Sequence, residues 1–203
     1  MAVEAVRSLR QQNKSDGLAY FYCTSRDNSG QDITTLLRLL LVQLCRPSTV
    51  PDPIKKLHDA CNDGFPPKVP DFGELLRTLV RVLKDQDSGD HDSPNPRTFL
   101  LVDGLDEFAW EHRDPLFEAL QEIARLELNH LRMLVTSRGQ PDIQDALAAP
   151  IYWPPVVVEA RMVQADIRLF VEKSIQSHAR LSRLPAEVKD AIRVRVVDEG
   201  QGM

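Results

Sequence analysis

Short apolar runs alternate along the chain with longer segments in which apolar residues recur at helical spacing. Three such runs are 18–23 (LAYFYC), which a polar loop follows, and 98–103 (TFLLVD) and 131–136 (LRMLVT), which end in polar residues. Continuous apolar runs of this length are typical of strands that are buried on both faces of a parallel sheet. A fourth run, 156–159, is a candidate for a last strand.

The segments between these runs predict helices. Asp71 followed by Glu74 is close to a capping box, and Asp114 followed by Pro115 is typical of an N-cap and a first-turn proline. The charged segment 84–97 contains proline and glycine, so we expect a mobile loop there. The predicted helices cover residues 2–12, 32–45, 51–62, 71–83, 114–128, 141–148, 163–178 and 185–197.

Alternation of strands and helices predicts an α/β fold with a parallel sheet in a three-layer α/β/α sandwich. The length of 203 residues and a hydrophobic content of 42% suit one sizeable core. The net charge is -5 and the basic residues are scattered, so we expect no nucleic-acid partner.

Cysteine usage and the lack of long apolar segments indicate the cytoplasm. The three cysteines have no CxxC spacing, which argues against a disulfide framework and a structural zinc site. No segment approaches the roughly 20 apolar residues of a membrane span, and the first residues lack the pattern of a secretory signal.

The segment FLLVDGLDE carries the strongest chemical signal. Asp103 ends a buried strand, where a carboxylate can hold Mg²⁺, and Asp106 and Glu107 can orient a water or accept a proton. The alternative is a solvated turn. Three carboxylates within five positions repel one another unless a cation is near, which favours the functional interpretation.

The segment MLVTSR ends the next predicted strand. Thr136, Ser137 and Arg138 could bind an attacking water or a terminal phosphate, because a guanidinium matches phosphate oxygens. The alternative is a turn with a solvated arginine. One helix joins the two strands, so a right-handed parallel connection would bring both ends to one side of the sheet.

FLLVDGLDE, LRMLVTSRGQPDI and VQADIRLFVEKSI together resemble the NACHT NTPase domain of fungal NOD-like (STAND) signalling proteins, overlapping the nephrocystin 3-like N-terminal module. LAYFYC and ITTLLRLLLVQLC are similar to the second strand and following helix of that family. The resemblance covers essentially the whole chain and implies a P-loop NTPase-like sheet. It implies an incomplete NACHT core at 1–160 and the start of the C-terminal helical part at 161–203.

The resemblance also implies roles for the motif residues. Asp103 would be the Walker B aspartate on Mg²⁺, and Asp106 and Glu107 the acidic pair that positions or activates water. Arg138, with Thr136 and Ser137 beside it, would sense the terminal phosphate of ATP or GTP in the complete domain. The family acts as a nucleotide-dependent switch that couples sensing by C-terminal repeats to oligomerisation, so homotypic NACHT association is the implied protein partner.

One departure from the family is plain. The sequence contains no G-x-x-x-x-G-K-[ST] motif, which the family carries, together with its first strand, before the helix that corresponds to residues 2–12. We therefore expect a chain that lacks the first strand and phosphate loop, is cut short at both ends, and does not hydrolyse nucleotide by itself. In the family the first strand lies between 131–136 and 156–159, so we also expect low stability.

Two other functions stay open. The chain could be a non-catalytic interaction piece, or a decayed paralogue, that associates through an exposed sheet edge. The carboxylates of Asp103, Asp106 and Glu107 could instead form a separate metal site for phosphoester hydrolysis. Such sites usually need ligands from further strands, and the sequence shows none.

Overall fold

The computed structural model describes residues 16–24, 32–45, 50–85, 97–148 and 155–197. The chain divides into two compact units, Met1–Trp153 and Pro154–Met203. The described residues contain three strands and seven α-helices, which confirms a mixed α/β protein. The predicted helix at 2–12 and most of the predicted loop at 84–97 lie outside the described residues.

The elements follow the predicted order. The strands are β1 (Gly17–Tyr22), β2 (Thr98–Asp103) and β3 (Leu131–Val135). The helices are α1 (Ile33–Leu44), α2 (Asp52–Asn62), α3 (Phe72–Asp85), α4 (Arg113–Ala124), α5 (Pro141–Ala148), α6 (Ala160–Ser177) and α7 (Ala186–Val197). Two 3-10 turns, Leu105–Glu107 and Trp110–His112, lie between β2 and α4.

The three strands form one parallel sheet in the order β1-β2-β3. Tyr22 is in register with Asp103, and Val102 with Val135, so the strands end together. The parallel prediction is confirmed. The polar residues that follow β2 and β3 therefore emerge at the same edge of the sheet.

The main core lies on one face of the sheet. Ala19 and Phe21 of β1 and Leu100 and Val102 of β2 pack in one cluster with apolar side chains of α1, α3, α4 and α5. A small separate cluster with Leu18 and Leu101 lies on the other face. Of the three expected layers, the described residues of this unit show the sheet and one layer of helices.

The two outer edges of the sheet differ. On β1, the side-chain amide of Gln43 accepts from the N–H of Tyr20 at 3.2 Å and donates to its carbonyl at 2.9 Å. Just after β3, the N–H of Thr136 donates to the carbonyl of Val102 on β2 at 3.0 Å. Backbone groups alternate in direction along a strand, so those of Met133 and Val135 point away from β2. No further strand in the described part of the chain pairs with that side.

The prediction of a strand at 156–159 is wrong. This segment is extended but belongs to no strand, and the side chains of Val156, Val157 and Val158 are 86%, 72% and 67% exposed. A strand needs a neighbour for its backbone hydrogen bonds, and the described residues of the second unit contain no strand that could supply one. β-branched composition alone does not supply that neighbour.

The predicted N-cap of α4 is also wrong. The helix begins at Arg113, so Asp114 lies inside its first turn, and the N-cap position belongs to His112, whose side chain makes no capping hydrogen bond. The helix ends at Ala124, short of the predicted 128. Glu127 adopts a left-handed conformation with φ of 49° as the chain turns toward β3.

The described residues of the second unit contain two helices, α6 and α7, which confirms both helices predicted there. Val171 and Ile175 of α6 are buried in one cluster with Val197 of α7. Arg193 pairs with Glu172 across the two helices at 2.7 Å. In neither unit do the described helices include one with the length and apolar character needed to cross a membrane.

Candidate functional site

Asp103 and Thr136 meet where β2 and β3 end. The hydroxyl of Thr136 donates a short hydrogen bond to Oδ1 of Asp103, and it accepts the N–H of Gly104 at 2.9 Å. Because side chains alternate along a strand, Asp103 lies on the same face as Leu101, opposite the main core. The hydroxyl of Thr136 thus fixes the orientation of the Asp103 carboxylate.

Gly104 allows the chain to turn sharply after β2. Its φ of 78° lies in the left-handed region, which disfavours residues with a side chain. The N–H groups of Gly104 and Leu105 both donate to the carbonyl of Thr136, at 3.1 and 2.9 Å. The turn therefore stays attached to the end of β3 as it enters the acidic 3-10 turn.

Asp106 and Arg138 form the second contact between the two strand ends. The backbone N–H of Arg138 donates to Oδ1 of Asp106 at 3.0 Å, and the side-chain Nε of Arg138 lies 3.5 Å from Oδ2 of Asp106. The Asp106 side chain is 9% exposed, whereas that of Arg138 is 67% exposed. The carboxylate thus anchors the loop after β3, while the guanidinium reaches solvent.

The other two predicted site residues lie at the periphery. Glu107 is exposed on the 3-10 turn, and Ser137 is exposed with its hydroxyl donating to the carbonyl of Arg138 at 2.7 Å. The structure therefore brings Asp103 to Thr136 and Asp106 to Arg138. Their chemical roles stay predictions.

Two of the three clustered carboxylates have partners within the protein, and the expectation of a cation near them stays a prediction. Asp103 is bound by the hydroxyl of Thr136 and Asp106 by Arg138, so protein groups already offset part of the repulsion. Among the residues that the structure describes, no three His, Cys, Asp or Glu side chains are placed to hold one metal ion.

The pKa of the buried Cys23 thiol is affected by the carboxylates at this edge of the sheet. Burial is the main cause that raises its pKa to about 12; the negative charges of Asp103, Asp106 and Glu107 also raise it, and Arg113 lowers it. The N–H of Cys23 also donates to the carbonyl of Asp103 at 2.9 Å. A raised pKa keeps the thiol protonated at physiological pH, which disfavours its reaction as a nucleophile.

Arg113 is the site residue that the sequence did not reveal. Its side chain is 8% exposed. It donates to the carbonyls of Phe108 and Asp106 at 3.0 and 2.6 Å. Its Nη1 donates to Gln140 and Asp142, both at 2.7 Å. These last partners are 27 and 29 positions away, and an arginine at the start of a helix gives no local signal of such contacts.

The oxygen donors of this edge fit Mg²⁺ in one specific way. Mg²⁺ commonly binds through one or two carboxylates and keeps several waters, and the oriented carboxylate of Asp103 matches that arrangement. The described residues do not fit a metal that is enclosed by three or more protein ligands.

Comparison with known families gives a match that covers the ends of β2 and β3. The family model described as nephrocystin 3, N-terminal, matches residues 1–138, which is more than half of the chain and includes every candidate residue from Asp103 to Arg138. A comparison with curated proteins finds no match.

Proposed function

The chain belongs to the nephrocystin 3 N-terminal family, and from this premise we propose that it carries the metal-binding and phosphate-sensing side of a NACHT-type P-loop NTPase switch. The observation that supports this most is the meeting of the ends of β2 and β3. Hydrogen bonds join Thr136 to Asp103 and Arg138 to Asp106 across that junction. In the proposal the sheet belongs to a three-layer P-loop fold.

Asp103 is the proposed Mg²⁺ ligand. The hydroxyl of Thr136 holds one of its oxygens, which fixes the orientation of the carboxylate where β2 ends. When bound, Mg²⁺ would neutralise negative charge on a polyphosphate. Asp106 and Glu107 are the proposed groups that position or activate a water molecule.

Arg138 is the proposed sensor of a terminal phosphate. Its guanidinium is exposed, and the 3.5 Å between its Nε and Oδ2 of Asp106 is longer than an ordinary hydrogen bond, so this contact is weak. A guanidinium binds phosphate through parallel hydrogen bonds, which are stronger. A phosphate could therefore draw the guanidinium away from Asp106, with the hydroxyls of Thr136 and Ser137 beside it.

The residues of this chain do not complete a polyphosphate site. The 203 residues contain no G-x-x-x-x-G-K-[ST] motif, whose backbone N–H groups cradle phosphates in P-loop proteins. In the proposal, ATP or GTP binds only when such a loop is supplied from outside these residues. We expect neither tight binding nor hydrolysis by the 203-residue chain alone.

The test compares two proteins by fluorescence anisotropy of labelled ATP and GTP. One is the 203-residue chain, and the other carries an N-terminal extension with a strand and a G-x-x-x-x-G-K-[ST] loop. We expect binding in Mg²⁺ by the extended protein only, and its loss when the loop lysine is replaced by alanine. Equally tight binding by the short chain would overturn the need for the loop, and no binding by either would overturn the nucleotide function.

The open edge of β3 favours a second candidate function, association between copies of the chain. The outward backbone groups of Met133 and Val135 are free of strand partners in the described residues, and Leu134 between them is 44% exposed. Two copies of β3 related by a twofold axis at Leu134 could pair antiparallel, because Met133 of each copy would then face Val135 of the other.

Light scattering after size-exclusion chromatography tests this candidate. Leu134→Lys should shift a dimer toward monomer, because the two lysines would face each other across the axis. Leu39→Lys is the matched control, since Leu39 lies on α1 and is also 44% exposed. A compact monomer at every concentration of the unaltered chain would argue against edge-mediated association.

A further inference from the structure

Arg113 links the loop after β3 to the acidic turn after β2. We infer that Arg113 is a positioning residue for the proposed nucleotide site, because the contacts of its guanidinium determine where Arg138 stands. The inference rests on the proposed function only for its consequence in nucleotide binding. The contacts themselves lie entirely within the described residues.

The guanidinium of Arg113 is enclosed by acceptors from both loops. Two are carbonyls that precede α4, those of Asp106 and Phe108, and two are the side chains of Gln140 and Asp142 that follow β3. Arginine is rarely buried unless its donors are satisfied, because an unpaired buried charge is costly. Four hydrogen bonds to this buried group therefore couple the two loops.

Arg138 is held on both sides by residues that Arg113 binds. Its N–H donates to the Asp106 carboxylate at 3.0 Å, and the carbonyl of Asp106 accepts from Arg113 at 2.6 Å. The N–H of Gln140 donates to the carbonyl of Arg138 at 2.9 Å, and the side chain of Gln140 accepts from Arg113 at 2.7 Å. Arg113 thus fixes the backbone of Arg138 without touching it.

Lysine cannot reproduce this arrangement. Its single nitrogen carries three donors at one point, whereas the planar fork of arginine reaches acceptors in several directions. The hydrogen bond from Arg113 also keeps the pKa of Asp142 below its ordinary value, consistent with a charged pair. The coupling therefore depends on the shape of the guanidinium as well as on its charge.

Amide hydrogen exchange followed by NMR, without nucleotide, tests the inference on the 203-residue chain. Arg113→Met should raise the exchange rate of the Arg138 amide at least about tenfold, as expected for the loss of charge-assisted hydrogen bonds, and leave the amides of α3 unchanged. Arg113→Lys should restore little of this protection. Arg125→Met is the matched control, because Arg125 is an exposed arginine at the other end of α4.

A second variant keeps the test decisive if Arg113→Met does not fold. Asp142→Asn weakens one outer contact of Arg113, so it should also raise exchange at Arg138 while α3 stays protected. Unchanged exchange at Arg138 in these variants, or a uniform rise across the chain, would overturn the inference.

Nucleotide binding by the extended protein separates this inference from the proposed function. Arg113→Met should weaken binding of labelled nucleotide, and unchanged affinity would overturn a positioning role in that site. Absence of binding by the unaltered extended protein would overturn the proposed function, whereas the exchange measurement would still decide the position of Arg138.

Discussion

At the residue scale, the sequence predicted which candidate residues lie at the ends of strands, but not which distant residues they contact. Asp103, Thr136 and Arg138 follow apolar runs, and the parallel connection explains why they meet at one edge. The hydrogen bond between Arg113 and Gln140 was not predictable, because no local sequence pattern indicates a contact between residues 27 positions apart. The pairing of Asp106 with Arg138 was likewise not predicted, because the sequence suggested water as the partner of Asp106 and a terminal phosphate as the partner of Arg138.

The thiol of Cys23 provides a residue-scale prediction. With a pKa of about 12 it is almost entirely protonated at pH 8, so iodoacetamide should label it far more slowly than Cys45, which is only half-buried. Mass spectrometry of the labelled peptides measures both rates. Similar rates in unfolded chain are the control, and faster labelling of Cys23 than Cys45 in the folded chain would contradict the acidic, buried environment.

At the element scale, the sequence was most informative where capping and periodicity agree. α1 begins after Asp32, whose carboxylate accepts the N–H of Thr35 at 2.6 Å, and α3 begins after Asp71. The failures occurred where a neighbour decides the outcome. The segment 156–159 has strand composition but forms no strand, and α4 begins at Arg113, whose buried side chain binds two loops.

The capping box of α3 gives an element-scale prediction. The carboxylate of Asp71 accepts the N–H of Glu74 at 2.8 Å, and the carboxylate of Glu74 accepts the N–H of Asp71 at 3.1 Å. Asp71→Ala should lower the free energy of unfolding by about 1 kcal/mol, measured by urea titration. Asp59→Ala, at an exposed position on α2, is the control, and equal effects of the two changes would contradict a capping role.

At the scale of the whole molecule, several carboxylates are stabilised in their charged forms. Contacts with Lys68, Arg113 and Arg193 lower the pKa values of Glu74, Asp142 and Glu172 respectively. The outer side of β3 has no strand partner among the described residues, and backbone groups that are buried without a partner lower stability. The low stability expected from the sequence therefore stays a prediction, to be tested by the midpoint and sharpness of thermal unfolding.

The lowered pKa values predict how stability depends on pH. A carboxyl whose pKa is lower in the folded chain stabilises it above the ordinary pKa, and this contribution is lost as the pH falls through the folded pKa. The Tm should therefore vary little between about pH 7 and 5. It should fall as the pH drops below the ordinary pKa values, which are 4.5 for Glu and 3.8 for Asp. A Tm that stays constant to about pH 3 would contradict these ion pairs.

The Mg²⁺ dependence of nucleotide affinity in the extended protein tests the central claim most directly. If Asp103 holds the metal at the end of β2, Asp103→Asn should abolish the gain in affinity that Mg²⁺ gives, whereas Asp63→Asn, an exposed position beyond α2, should preserve it. Isothermal titration with and without Mg²⁺ measures the gain. An undiminished Mg²⁺ effect in Asp103→Asn would contradict a metal site at this edge of the sheet.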